Sequence, residues 1–233
     1  GDFKADMRGQ YPSVDILMNV DSINLKNLGF TPNEIKYHGQ IQGEFSTADP
    51  DFLNGHLFVI NSLLSYNGNT FPIDSISLTA EATESFKIMN LESEFLNAHV
   101  VGDYKLTELP IAIQDVLGDY YNPERTSITK QYSPQSFEFS ATLVRSPFVR
   151  DLLPELTEMQ PINLDGNFNS TDKSINARLA AQHVLYNGML IDTVIFDLNT
   201  ADSTIFYAGR IGEVKVSSIQ VINTLISGTV KDN

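Results

Sequence analysis

Cysteine and tryptophan are absent from the 233 residues, and histidine occurs only four times. The first absence excludes a disulfide framework and any thiolate metal site. The second removes the indole platforms that sugar-binding modules often present, and the phenylalanines fall mostly on apolar strand faces. Basic residues are also few: 15 Lys and Arg stand against 29 Asp and Glu, a formal net charge of −14. With no basic surplus to neutralise phosphates, nucleic acid is not an expected partner, and electrostatic docking on anionic lipid headgroups is disfavoured. No apolar run reaches the roughly 20 residues that cross a bilayer as a helix. No signal peptide opens the chain, and Gly1 leading directly into "DFKADMRGQ" reads as a piece of something longer.

What is present is a globular composition, 42% apolar and 19% charged, enough to bury a core in one large all-β domain or two smaller ones. The dominant period is two. In "SVDILMNV", Val14, Ile16, Met18 and Val20 share one parity, with Ser13, Asp15 and Asn19 on the other. In "SFEFSATL", Phe137, Phe139, Ala141 and Leu143 alternate with Ser136, Glu138, Ser140 and Thr142. Alternation of this kind describes strands with one dry and one wet face. Asn67-Gly68 and Asn187-Gly188 predict tight hairpins, because both central positions of a type I′ turn need φ > 0. Helix is scarce. "LTELPIAIQDVLGDYY" spaces Leu109, Ile113, Val116, Leu117 and Tyr120 as one stripe, and "SPFVRDLLPELTEM" begins a helix at Ser146 that Pro154 must end.

The chain repeats itself. "SYNGNTFPIDSISLTAE" (65–81) and "LYNGMLIDTVIFDLNTA" (185–201) share a Tyr-Asn-Gly turn followed by Ile-Asp and an alternating run. Further blocks align in order: Ser13, Ile16, Gly43 and Phe45 over Ser136, Phe139, Gly166 and Phe168, then Ile76 over Val194, then Asn97 and Gly102 over Asn223 and Gly228. The expected organisation is a first β-repeat over residues 1–106, a helix and polar connector over 107–135, and a second β-repeat over 136–233. The expected fold class is mostly β: two tandem antiparallel, curled sheet repeats forming a groove or a sandwich, with a few short helices. Each copy has one apolar face that it cannot bury alone, so copies stack and extend a shared interior. "DSINLKNLGFTPNE" and "SPFVRDLLPEL" occupy matching places after the first strand of each copy, and a short helix or helical turn is expected in both, the alternative being an ordinary crossover loop packed against the sheet.

The order of "DSINLKNLGF", "IQGEFSTADPDFLNGHLFVINSLLSYNG" and "PIDSISLTAEATESFKIMNLESEFLNAHVVGDYKL" resembles the repeats of TamB-type proteins of the AsmA-like group, in wording nearest to the Bacteroidota versions. "LESEFLNAHVVGDYKL" carries most of the resemblance; the second copy keeps Asn223 and Gly228 but lacks the acidic start and the tyrosine. The resemblance implies a non-enzymatic periplasmic segment of an inner-membrane-anchored protein, with the anchor outside this sequence. It also implies a role in outer-membrane biogenesis, by lipid transport along an apolar groove or by assistance to outer-membrane protein assembly. The implied partners are phospholipid or other lipid acyl chains, and outer-membrane assembly proteins. Candidate groove-lining residues are Ile76, Leu78, Phe86, Ile88, Val194, Phe196, Leu198, Ile205, Val214 and Val216. The alternative is a structural β-repeat of a secreted or surface adhesin-like protein with a closed core. If the sheet continues beyond this sequence, its first and last strands are unpaired, and edge-to-edge self-association is expected.

Catalytic chemistry has no carrier in the sequence. His38, His56, His99 and His183 are scattered without metal-ligand spacing, and there is neither a Gly-rich phosphate loop nor a nucleophile elbow. Asp49, Asp51 and Asn54 lack the 12-residue spacing and closing Glu of a calcium loop and read as a turn. An acid-pair hydrolase is the third reading, with no motif to select one pair of carboxylates. No cofactor or metal is expected.

Overall fold

The computed structural model describes residues 1–27, 29, 31–66, 68–118, 120, 132–201 and 204–231. The first half contributes β1 (Asp2–Asp6), β2 (Ser13–Asn24), β3 (Ile35–Thr47), β4 (Asn54–Tyr66), β5 (Asn69–Ala82), β6 (Lys87–Ser93) and β7 (Leu96–Asp103). Helix α1 (Leu109–Gly118) follows, then β8 (Ser136–Leu143), α2 (Pro147–Leu152), β9 (Leu156–Met159) and β10 (Ile162–Asn169). The chain closes with β11 (Ser174–Tyr186), β12 (Met189–Ala201), β13 (Thr204–Val216) and β14 (Ile219–Lys231). All the strands belong to one antiparallel sheet of 14, in chain order from β1 to β14, with β9 pairing beside β11. The sheet is open, so the groove-or-sandwich choice resolves to a single layer whose two copies join through β7 and β8.

The repeat is visible in the pairing itself. Val14 lies opposite Phe45 and Ile16 opposite Gly43 in the first copy. Phe137 lies opposite Phe168 and Phe139 opposite Gly166 in the second. Likewise Leu57 faces Leu78 and Ala177 faces Leu198. Strand β3 has two counterparts, β9 and β10, because Pro161 has no N–H to give the ladder and interrupts the strand. Two sequence matches are corrected by the ladder. Val59 pairs with Ile76 where Leu179 pairs with Phe196, so Ile76 corresponds to Phe196 and not to Val194. Gly228 stands in the row of Leu198 and Tyr207, whereas Ala98 holds the matching place beside Leu78 and Leu91; Gly102 is therefore not its counterpart. The cause is length: β13 and β14 have 13 residues each, against 7 and 8 for β6 and β7.

Local chemistry explains most boundaries. Asn187 and Gly188 both have positive φ (48° and 74°), as a type I′ hairpin requires. Gly68 has φ 80°, while Asn67 lies outside the described residues. Ser146 caps α2 by accepting the Val149 N–H at 3.2 Å, and Pro147 occupies the first turn, where no N–H is needed. In the first copy the matching segment shows turns rather than a helix among its described residues: 25–27 and 29 are turn, with the Asn27 N–H donating to the Asn24 carbonyl at 3.1 Å and the Gly29 N–H to the Lys26 carbonyl at 3.0 Å. In α1 the buried residues are Ala112 and Val116; Leu117, assigned to the stripe by spacing, is exposed. Much of the polar connector (121–131) lies outside the described residues.

Helix α1 seals one end of the strands. Ala112, Val116 and Tyr120 pack with Tyr104, Phe137, Phe168 and Ile205 into one cluster. Within it the Phe137 ring lies 5.3 Å from Phe168 and 5.9 Å from Tyr104. Glu108, just before α1, ties down the far end of the connector: its Oε2 accepts the Ser133 N–H at 2.6 Å and its Oε1 accepts from Lys105 Nζ at 3.1 Å. The Ser133 hydrogen bond, followed by Lys105, holds its carboxyl below the usual glutamate range against the opposing pull of desolvation. A depressed folded-state pKa contributes stability that is present above the ordinary glutamate pKa and lost as pH falls through the depressed value. Glu108→Gln is therefore expected to lower the melting temperature at neutral pH. The difference from wild type should disappear in acid, and a melting series from pH 7 downward reads it directly.

At the other end of the strands, α2 packs against β5, where Phe148 meets Phe71 (6.4 Å between ring centroids) and Phe95 (4.7 Å). Few side chains elsewhere are fully buried. The molecule exposes 14535 Å², against about 10,500 Å² for a compact monomer of 25.9 kDa. The excess of about 40% follows from a single layer with only short helices laid on it.

Candidate functional site: an apolar sheet face

Residues opposite one another in an antiparallel ladder point to the same side of the sheet. One row can be followed through every strand of the main path: Phe3, Ile16, Gly43, Leu57, Leu78, Leu91, Ala98, Ala141, Leu164, Leu179, Phe196, Gly209 and Ile226. No polar side chain interrupts it. The next row on the same face runs from Ala5 and Val14 through Phe45, Met89, Val100, Phe139 and Leu198 to Tyr207 and Gly228. At about 4.8 Å per strand, thirteen strands give an apolar track about 58 Å long.

The opposite face is polar in the matching row: Lys4, Asp15, Glu44, His56, Thr79, Asn90, His99, Ser140, Asp165, Arg178 and Asp197. There Arg178 pairs with Asp197 at 2.8 Å, and Asn176 bridges Asn167 and Asn199 at 2.9 and 2.6 Å. The carboxylates of the chain thus lie largely away from the apolar track.

The middle apolar row is not a sealed core. Apart from Gly43, none of its members is buried, and Phe3, Phe196 and Ile226 are exposed. The helices cover the strand ends, where Phe137, Phe168, Phe71 and Ile73 are buried. What lies between is a strip of leucines and a phenylalanine presented to solvent on a fixed backbone.

The ten candidate residues divide. Ile76, Leu78, Val194, Phe196, Leu198 and Ile205 lie on this face, though Ile205 is buried beneath α1 and Leu198 packs against the same cluster. Val214 stands in a separate apolar row with Val184, Ile191 and Val221, and Val216 is exposed near the hairpin tip opposite Ile219. Between these rows the ladders skip the left-handed Thr193 (φ 55°) and Asn223 (φ 48°) without a change of register. Two positions are corrected. Phe86 lies in the β5–β6 turn, and Ile88 sits opposite Glu81 and Val101 on the polar face. The inward residues of β6 are Met89 and Leu91, together with Lys87. Lys87 is what obscured the phase: its Nζ donates to the Tyr104 carbonyl at 2.6 Å and to Asp103 at 3.3 Å, which lets a charged residue lie on the apolar side. The parity of Asn90 and Glu92 marks Ile88 as outward in the sequence alone.

The other polar candidates are committed to structure. Asp49 caps a short 3₁₀ turn (Pro50–Phe52), Asp51 accepts from the Thr107 N–H and hydroxyl at 2.9 and 2.5 Å, and Asn54 brackets the Ala82 backbone. His38, His99 and His183 take separate partners: the Asp21 carbonyl, Asn90 and Glu158. Among the described residues no helix is long and apolar enough to cross a membrane, which leaves strands out of account. No family model, no curated protein and no solved structure matches this chain.

Proposed function

We propose that the chain is a non-enzymatic segment of a TamB-type, AsmA-like envelope protein whose open apolar sheet face carries lipid acyl chains. The carrying observation is the uninterrupted row from Phe3 to Ile226, free of polar side chains in every strand of the main path and, Gly43 apart, half-buried or exposed along its length. An acyl chain laid on such a row leaves water at a gain of about 0.8 kcal/mol per buried CH₂. The acidic opposite face keeps the layer soluble and disfavours anionic headgroups. On this reading the segment sits in the periplasm, as part of a longer inner-membrane-anchored protein, and supports outer-membrane biogenesis by lipid passage; assistance to outer-membrane protein assembly is the second role of the same surface.

Native mass spectrometry of the chain incubated with phosphatidylethanolamine tests the reading. Phe196 is 39% exposed, so Phe196→Asp is compatible with the fold. It places an ionised carboxylate in the track and is expected to reduce the lipid-bound fraction at least about tenfold. Ile88→Asp, on the polar face, is expected to leave it unchanged. A wild-type chain that takes up no lipid, or two variants that behave alike, would sink the proposal; the former result favours the purely structural module.

A further inference from the structure

The two copies differ at one place on the polar face in a way that neither the fold nor the apolar track requires. In the first copy Thr79, Asn90 and His99 stand opposite one another on β5, β6 and β7. Their side chains are joined: Asn90 Nδ2 donates to Thr79 Oγ1 at 3.3 Å, and Asn90 Oδ1 lies 2.6 Å from His99 Nδ1. The row that sets Leu78, Leu91 and Ala98 against Leu198, Tyr207 and Gly228 places Asn199, Phe206 and Thr229 at the matching positions of the second copy. One rung along, Ser77, Glu92 and Asn97 correspond to Asp197, Ala208 and Ser227. A phenyl ring thus stands where the first copy has its linking amide, and a methyl group stands where it has a long glutamate side chain.

At these exchanges lies a hollow of about 370 Å³, lined by Asp197, Asn199, Phe206, Ala208, Ser227 and Thr229. That volume is within the roughly 300–1,000 Å³ of small-molecule sites. Phe206 is 44% exposed, on the wet side of the sheet, where it adds nothing to a core. The polar groups beside it are held in place from behind. Asn199 Nδ2 donates to Asn176 Oδ1 at 2.6 Å, and Asn176 Nδ2 to Asn167 Oδ1 at 2.9 Å, which leaves Asn199 Oδ1 as an acceptor. Arg178 takes Asp197 Oδ1 at 2.8 Å, compensating its charge and leaving Oδ2. Among the described residues nothing donates to those two oxygens, and nothing is bonded to the Ser227 and Thr229 hydroxyls.

We propose that this hollow binds a neutral pyranose unit with equatorial hydroxyls, stacked on Phe206 and hydrogen-bonded by Asp197, Asn199, Ser227 and Thr229. An aromatic face beside fixed acceptors and free hydroxyls suits a ligand that is apolar on its flat side and hydroxylated at its rim. In such a sugar the axial C–H bonds, slightly positive, meet the negative face of the phenyl ring. The equatorial hydroxyls then donate to the Asn199 and Asp197 oxygens. An anion would meet the Asp197 carboxylate with no cation among the lining residues. A quaternary cation would find one phenyl ring rather than a cage, beside a carboxylate already compensated by Arg178. The hollow lies on the face of three adjacent strands, away from the apolar track, so it depends neither on a strand edge nor on the lipid reading.

Cellotriose, whose rings carry equatorial hydroxyls, is the probe. A heteronuclear NMR titration of the intact chain to about 10 mM covers the millimolar affinity of a site with one aromatic platform. Shifts are expected at the Asn199 side-chain amide and the backbone amides of 197–199, 206–208 and 227–229. Phe206→Ala removes an exposed ring, leaves the fold intact and should weaken binding at least about tenfold. Ala208→Glu, which restores the residue of the first copy, should do the same by filling the hollow, whereas Phe206→Tyr should keep binding. A spectrum indifferent to cellotriose overturns the proposal, as does equal affinity in Phe206→Ala. Displacement of cellotriose by an equal concentration of tetramethylammonium would mark a cation site and overturn it too. Each of these results leaves the lipid reading to its own test.

Discussion

Phe168→Ala is expected to lower the melting temperature by about 10 °C. Phe168 is 2% exposed, the innermost aromatic of the cluster beneath α1. Its ring packs on Phe137, which in turn meets Phe139 and Tyr104. Truncating a buried phenylalanine to alanine costs about 3–5 kcal/mol, the lost transfer energy plus the cavity that neighbours cannot fill. In a chain of this size each kcal/mol shifts the midpoint by about 2–4 °C. The effect should be unusually concentrated, because a single-layer sheet has few other sealed clusters among its described residues to carry the load. Phe206→Ala is the matched control: Phe206 is exposed, its removal leaves no cavity, and a change within about 0.5 kcal/mol is expected. Thermal unfolding followed by circular dichroism distinguishes the two. A Phe168→Ala midpoint close to that of wild type would mean that the α1 cluster does not hold the sheet together.

The second large effect is expected at a glycine. A Cβ on Gly166 would stand 2.2 Å from the Asn176 carbonyl oxygen and 2.7 Å from the Phe139 ring. The first contact is backbone of the adjacent strand, which cannot yield without opening the β10–β11 ladder. Gly166→Val should therefore lose ladder hydrogen bonds at about 1 kcal/mol each and add overpacking of about 1–3 kcal/mol. Hydrogen exchange should show lost protection over Ile162–Asn169 and along the facing part of β11. Gly209, on the middle apolar row, meets nothing closer than 3.7 Å, the Phe196 ring. Gly209→Val is expected to be tolerated and to widen the apolar track. Equal protection in the two variants would show that the close approach at Gly166 is not what fixes the strand spacing there.

How much of this was legible in the sequence depends on the kind of interaction. The strands of β2, β8 and β12, the Asn187-Gly188 hairpin, the start of α2 at Ser146 and the existence of two copies all follow from local rules: alternation, φ preference and capping. Each is settled within a few neighbouring residues, except the duplication, which is read by matching blocks far apart in the chain. Ile88 was misplaced for the opposite reason. In "KIMNLES" Asn90 and Glu92 set the phase against Ile88, and only Lys87 argues the other way; its place on the apolar side rests on finding Tyr104 and Asp103 seventeen and sixteen positions away. The match of Gly102 with Gly228 failed similarly, since a hairpin can lengthen without changing its local pattern, and only the ladder counts the rungs.

The sequence by itself determined that the chain is β-rich, acidic, duplicated and striped with apolar residues, because period-two patterning needs no knowledge of a partner strand. The tertiary structure alone decided that these stripes align into one track across thirteen strands, that the layer stays open, and that the helices cover only the strand ends. Register is the physical reason. A shift of one residue would turn every side chain to the other face, and it is set by contacts between residues far apart in the chain, such as Phe168 against Phe137 and Gly166 against Phe139.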